Sequence, residues 1–210
     1  MSIRNEVTQM KETAPLLASS KEEIRNEALR RIIETLKSRK EEIFEANRKD
    51  REAARRDHIA TAVMKRLLFD EEKLESLVSG LEQLIRLPDP VGHITLAREL
   101  DTHLKLYRVT CPIGVIGIIF EARPDALVQI SALCIKSANC AILKGGKETK
   151  ETNRILFSLI HEAAVSAGLP EKAWLQAEQH SEIDELLQCD GLVDLLIPRG
   201  SNEFVRYIMD

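Results

Sequence analysis

The chain has 210 residues, a formal net charge of −4, and hydrophobic and charged shares of 44% and 30%. Those figures suit one domain, or one and a fragment, and the charge balance argues against general nucleic-acid binding. No apolar run approaches the roughly 18 residues of a membrane span and the polar N-terminus is no signal peptide, so a cytoplasmic protein is expected.

Residues 1–90 read as a helical layer. Val7, Met10, Ala14 and Leu17 form one apolar stripe. Ser20-Lys-Glu-Glu23 and Ser38-Arg-Lys-Glu41 match the capping box. The first opens a helix bearing Ile24, Ala28, Ile32 and Leu36, the second one bearing Ile43 and Phe44. Another carries Leu74, Leu77, Val78, Leu81, Leu84 and Ile85 until Pro88-Asp-Pro90 stops it. The mixed charges between these positions read as a solvated face. Across residues 91–110 the pattern turns toward strands, with Leu104, Leu106 and Val109 among polar residues. A hairpin or a pair of edge strands fits, and such a ribbon is a candidate oligomerisation element.

Residues 111–210 read as a βαβ core. Ile113 to Phe120 is an apolar, β-branched run short enough for a buried strand. After the break Glu121-Ala122-Arg123-Pro124, a helix carries Leu127, Ile130, Leu133, Cys134 and Ser137 at spacings of three and four. A second buried run, Cys140 to Leu143, ends at Lys144-Gly145-Gly146-Lys147-Glu148. Strand, helix and strand imply a right-handed crossover with ligands beyond the strands' carboxyl ends, where both breaks lie. Thr149 or Thr152 can cap the next helix, which bears Ile155, Leu156, Leu159, Ile160 and Ala163 and is stopped by Gly168 and Pro170. A short strand over 173–177 follows, then a helix capped by Ser181 and ending near Gly191. Leu192 to Ile197 is another strand, and Pro198-Arg199-Gly200-Ser201 turns into a helix still running at Asp210. Alternating β and α behind a helical layer define an α/β protein.

Chemistry concentrates in three turns. At Lys144–Glu148, two glycines at a strand end allow close backbone approach, Lys144 and Lys147 offer charge to phosphate, and Glu148 can accept from ribose hydroxyls. Both standard nucleotide motifs fail: Ala141 and Glu148 break the P-loop pattern, and no G-x-G-x-x-G occurs. An ordinary strand-to-helix turn with two solvated lysines fits the spacing equally well. Arg199-Gly200-Ser201 opens a helix at the equivalent edge of a later strand, where free N–H groups favour an anion. Glu121 and Arg123 sit where a substrate would meet a cofactor; Arg123 can hold a carboxylate or phosphate, or pair internally with Glu121. The four cysteines, Cys111, Cys134, Cys140 and Cys189, form no CxxC pair and read as reduced thiols. Cys134 and Cys140 fall in apolar patterns, and neither they nor Cys111 and Cys189 make a convincing nucleophile, so no catalytic residue is assigned. The five histidines show no metal-ligand spacing, and no metal is expected.

The segment Pro112 to Glu148, PIGVIGIIFEARPDALVQISALCIKSANCAILKGGKE, closely resembles the γ-glutamyl phosphate reductases of the aldehyde dehydrogenase superfamily. The likeness extends to the N-terminal helices, Asn47 with Asp50, Gly168-Leu-Pro170 and Asp194-Leu-Leu-Ile-Pro-Arg-Gly-Ser201. One departure is Ala138, where the family commonly has Gly. The resemblance implies an aldehyde dehydrogenase-like cofactor domain with a Rossmann-like parallel sheet. It implies NADPH as hydride donor and L-glutamyl 5-phosphate as substrate, reduced to L-glutamate 5-semialdehyde in proline synthesis. Lys144 through Glu148 would then lie at the adenosine ribose and Arg199–Ser201 beside the cofactor phosphates. Glutamate 5-kinase is a candidate partner, and a homo-oligomer is expected at full length. The resemblance covers the first half of the family's length, and its nucleophilic cysteine would lie beyond Asp210. The chain is thus expected to be the cofactor-binding part, inactive alone. A non-catalytic nucleotide-binding or interaction module is the alternative.

Overall fold

The computed structural model describes residues 3–179, 181–200, 205, 206 and 208. Five helices come first: α1 (Ile3–Ala18), α2 (Glu22–Ser38), α3 (Lys40–Arg56), α4 (Thr61–Leu67) and α5 (Glu71–Arg86). Two strands, β1 (Ile94–Asp101) and β2 (Leu104–Val109), form an antiparallel ribbon. The remainder alternates: β3 (Val115–Ile119), α6 (Pro124–Lys136), β4 (Cys140–Lys144), α7 (Lys150–Ser166), β5 (Trp174–Ala177), α8 (Ser181–Leu187) and β6 (Leu195–Pro198).

β3 to β6 make one parallel sheet in the order β5-β4-β3-β6. β3 and β4 are buried along their whole length, which is why their sequences show continuous apolar runs and no alternation. Right-handed crossovers from β3 to β4 to β5 put α6 and α7 on one face, and the return to β6 puts α8 on the other. α2, α3 and α5 pack outside α6 and α7, while α1 joins α8 against the sheet. The helical layer therefore shares one core with the sheet, from Val7 and Met10 through Leu29, Ile32 and Leu36 to Leu127, Ile142 and Leu156.

Buried polar groups tie the layers. Arg25 of α2 is sealed in, donating to the Lys136 carbonyl at the end of α6 and, bidentately, to Asp89 before the ribbon. Lys136 in turn reaches Glu22 and Asn26. The two cations are buried and their carboxylates partly exposed, so removing Asp89 or Glu22 would leave a buried charge uncompensated and destabilise the fold. At the amino-terminal edge of the sheet, Asp194 accepts from Lys11 and from the Val115 amide, so the last strand is docked by the first helix. Gly114 is obligatory there: its φ is +126°, and a Cβ would lie 2.2 Å from an Asp194 oxygen.

Several expectations are corrected. Neither serine box caps a helix: Ser20 and Ser38 donate back to the Leu17 and Thr35 carbonyls, and Lys21 and Arg39 occupy the cap positions without side-chain bonds. The local cap at an N-terminus is Asp70, which accepts from the Lys73 amide ahead of α5. α4 was not expected at all. β3 starts at Val115, leaving Ile113 exposed, and β6 starts at Leu195, because Asp194 is committed to the side-chain bonds above. α8 ends at Leu187, well short of Gly191, and Ser181 lies inside it. On α6 the buried face runs through Leu127, Val128, Ser131, Ala132, Cys134 and Ile135, and Leu133 points outward.

The stop after α7 is as expected. Gly168, φ +97°, and Leu169 bond back to Val165 and Ala164 in a Schellman motif. α6 ends the same way, but with Ala138 in the left-handed position at φ +55°. Ala138 is thus held in the conformation glycine favours.

Candidate functional site at the carboxyl edge of the sheet

The turn after β4 is built from far away in sequence. Asp50 of α3 accepts from the Glu151 and Thr152 amides and from the Thr152 hydroxyl, at 2.6–3.0 Å. A side chain about a hundred positions upstream therefore caps α7, and neither Thr149 nor Thr152 does so. Burial pushes the Asp50 carboxyl up, against the downward pull of those hydrogen bonds. Asn47, one turn earlier, donates to the Leu67 carbonyl and accepts from the Phe69 amide, which fixes the end of α4. The positive end of α7 is consequently already matched to an internal anion.

Between β4 and α7, residues Lys147–Thr149 form one turn of 3-10 helix. Lys144 is 7% exposed, and its ammonium donates to the Gly145 carbonyl at 2.7 Å. Burial lowers its pKa, partly offset by nearby Glu182 and Glu148. The picture of two solvated lysines is therefore corrected: Lys147 is exposed and Lys144 is not. The glycines also have a different reason from close ligand approach. A Cβ on Gly145 would lie 2.0 Å from the Asn153 amide nitrogen, so the missing side chain makes room for Asn153. A Cβ on Gly146 would meet only the end of the Glu148 side chain, which folds back over the turn.

Beyond β4 and β5 lies a cleft of about 420 Å³ lined by Gly145, Gly146, Lys147, Lys150, Asn153 and residues Gln176–Gln179. Lys150, on the first turn of α7, and the glutamines went unremarked in the sequence. Glu178, the acidic residue in the lining, is paired to Arg154, whose guanidinium holds its carboxyl below the usual range. Asn153 donates to the Thr149 hydroxyl, which itself donates to the Gly146 carbonyl. That fixes the amide's orientation and leaves its buried oxygen without a partner among the described residues. Two ammonium groups without an ion pair among the described residues, amide side chains and an orphan acceptor suit a phosphorylated ribose with hydroxyl donors.

The second pocket, about 360 Å³, lies beyond β3 and β6 and is lined by Arg66, Phe120, Glu121, Arg123, Ala126, Arg199 and Gly200. It brings together Glu121 and Arg123, expected on the substrate side, with Arg199, expected beside the cofactor phosphates, and it adds Arg66 from α4. The expected Glu121–Arg123 pair is corrected: Arg123 is bound bidentately by Asp125, at 2.6 and 3.4 Å, while Glu121 stays exposed. Asp125 is 3% exposed and also faces Lys73. Its carboxylate raises the Arg123 pKa. Ala122, between Glu121 and Arg123, has φ +46° and is buried against Ala54 and Leu67. This strained residue turns its two neighbours apart. Ser201 lies outside the described residues, so the Arg199–Ser201 turn is seen only through Gly200, with the Arg199 amide donating to Ile119.

Burial pushes the Cys134 and Cys140 thiols up to about 12, and Cys189 up as well, so none is a thiolate near neutrality. Among the described residues no group of three or more His, Cys, Asp or Glu is placed to hold a metal, and no helix is long and apolar enough to cross a membrane.

Comparison with known proteins places this geometry. No family model matches the chain. In fold, the NAD-dependent benzaldehyde dehydrogenase of Corynebacterium glutamicum superposes with a TM-score of 0.73 at 18% identity, covering 97% of this chain and 42% of that one. The fold is that of the aldehyde dehydrogenase-like proteins. The crystal structure of γ-glutamyl phosphate reductase from Thermotoga maritima fits far better, with a TM-score of 0.95 at 30% identity over 100% of this chain and 51% of that one. In sequence, the γ-glutamyl phosphate reductase of Acetivibrio thermocellus is 51% identical over 211 aligned positions, covering 100% of this chain and 49% of the relative. In sequence and fold the chain therefore matches the N-terminal half of the γ-glutamyl phosphate reductases, and it spans about half the length of these relatives.

Proposed function

We propose that this chain forms the nicotinamide-nucleotide half of an enzyme that reduces L-glutamyl 5-phosphate to L-glutamate 5-semialdehyde, with NADPH as donor. The observation that carries this reading is the lysine-lined cleft beside the tied Lys144–Glu148 turn. NADPH would supply a hydride to the acyl carbon. The residues of this chain would hold and orient it: Lys147 and Lys150 take the 2′-phosphate, and Asn153 and Glu148 accept from ribose hydroxyls. Glu148 folds its carboxylate back over Gly146, which itself lines the cleft, so it would meet a ribose hydroxyl there. Lys144, bonded to its own turn, braces the backbone against which the ribose rests. Arg199, Gly200 and Ser201 would flank the cofactor phosphates, and Glu121 and Arg123 would face the substrate. With its buried thiols protonated, the chain supplies no nucleophile of its own in this reading.

The test is a calorimetric titration of the 210-residue chain with NADPH and NADH. Saturable binding, tighter for NADPH and weakened about tenfold by Lys147→Ala with Lys150→Ala, is expected. A cooperatively folded chain that binds neither nucleotide would sink the proposal.

A second reading, an interaction module, draws on the ribbon. Every residue of β1 and β2 is exposed, including Ile94, Leu100, Leu104, Leu106, Tyr107 and Val109. Such surface favours self-association, and homo-oligomers or docking of glutamate 5-kinase would both use it. Light scattering that finds a compact monomer indifferent to concentration would count against it.

A further inference from the structure

The pocket beyond β3 and β6 differs chemically from the cleft beyond β4 and β5. The cleft is lined by lysines and amides, the pocket by three guanidinium groups with Glu121. Arg123 is neutralised by Asp125. Arg66 and Arg199 have no ion pair among the described residues, and the Arg66 side chain makes only a long 3.4 Å contact to the Ala62 carbonyl. Two uncommitted arginines thus converge where the crossovers diverge to opposite faces of the sheet, the usual position for a ligand in this topology. Held beside them is the strained Ala122 backbone, a conformation that persists where surrounding structure enforces it. Planar guanidinium groups with parallel N–H donors match phosphate oxygens better than any other side chain does.

We infer that this pocket receives the phosphate group of a phosphorylated substrate and that Arg66 is one of the residues that bind it. The inference rests on the reading of the chain as part of an acyl-phosphate reductase and adds to it a residue from α4. A volume of about 360 Å³ accommodates a small phosphorylated metabolite with its phosphate against Arg66, while Arg199 would serve the cofactor phosphates as proposed above. The exposed Glu121 repels that anion, so it directs the phosphate toward the arginines. The same chemistry could be met by the diphosphate of the nucleotide, and the experiment separates the two sources.

Inorganic phosphate is titrated into the chain, followed by NMR, with and without saturating NADPH, for the wild type, Arg66→Gln, Arg66→Lys and Lys65→Gln. Arg66 is exposed, so these variants should fold, and Lys65→Gln removes the same charge one residue away. Expected is phosphate binding in the presence of NADPH, weakened about tenfold by Arg66→Gln, weakened less by Arg66→Lys and unchanged by Lys65→Gln, with NADPH affinity constant throughout. Equal effects of Arg66→Gln and Lys65→Gln would overturn the inference, as would a wild type that does not bind phosphate. Loss of NADPH affinity in Arg66→Gln would overturn it in favour of the cofactor diphosphate. Phosphate binding that depends on Arg66 in a chain that does not bind NADPH would uphold this site while sinking the cofactor reading.

Discussion

The two turns at the carboxyl edge of the sheet are held in opposite ways. The turn after β4 is secured from a distance: Asp50 and Asn47 of α3 reach the start of α7 and the end of α4, and Asn153 fills the space Gly145 leaves. The turn after β3 is secured locally, by a left-handed Ala122 and the Arg123–Asp125 pair two residues apart. The first is a cradle whose lysines, Lys147 and Lys150, are exposed and have no ion pair among the described residues. The second keeps its arginines near a strained hinge. Tertiary tethering fixes the first turn from outside its own segment, whereas the second depends on strain held within a few residues.

This contrast is open to attack by mutation. Asp50→Ala should have the largest effect, because it strands the buried Thr152 amide and hydroxyl and the half-buried Glu151 amide at once. A loss of about 3 kcal/mol in urea denaturation is expected, with Asp50→Asn recovering part of it. A loss below about 1 kcal/mol would mean that α7 does not depend on its tether. Next is Gly145→Ala, where the new Cβ collides with a buried, bonded amide: about 2 kcal/mol. Gly146→Ala, which meets only the flexible end of Glu148, should be within ~0.5 kcal/mol of wild type. Equal effects at the two glycines would remove the argument that Gly145 exists for Asn153.

Acid should loosen the far edge of the sheet. At Asp194, burial pushes the carboxyl up, but Lys11 and the Val115 amide outweigh it and the net shift is downward. Asp89 is lowered in the same way against Arg25. Folded values below unfolded ones mean that this stability is fully present above about pH 4 and is lost as pH falls through the folded values. Denaturation midpoints at pH 6, 4 and 3 should show the fall, and Asp194→Asn should flatten it. A modest gain is expected from Ala138→Gly, which relieves a left-handed alanine and should stabilise by about 0.5–1 kcal/mol. The same change at Ala122 should stabilise similarly and, if the pocket beyond β3 and β6 binds phosphate as inferred, alter its affinity.

Much of the sheet was legible because β3 and β4 are buried on both faces and so spell themselves as continuous apolar runs. Gly168 and Pro170 announced the end of α7 through backbone chemistry that is local by nature. The helix starts were not legible in the same way. Ser20 and Ser38 match a capping pattern, yet their hydroxyls are used by carbonyls three residues back, while the true cap of α7 sits on another helix. Side-chain periodicity also misjudged α6, because Leu133 is apolar and outward-facing. At the site, Lys144 and Arg123 stand where their turns place them, but which cations are free depends on partners that spacing does not reveal. Arg66 was invisible because α4, at seven residues, is too short to show a period.

The tether between Asp50 and the start of α7 has a consequence for how the molecule is made. Bonds joining position 50 to positions 151 and 152 close a loop spanning almost half the chain. As the polypeptide leaves the ribosome, α2 and α3 can zip early, but the cradle has no capped helix to rest on until residue 152 has emerged. The cleft beyond β4 and β5 is therefore late to acquire its shape, and a ligand that waits for it would select chains whose distant segments have already met.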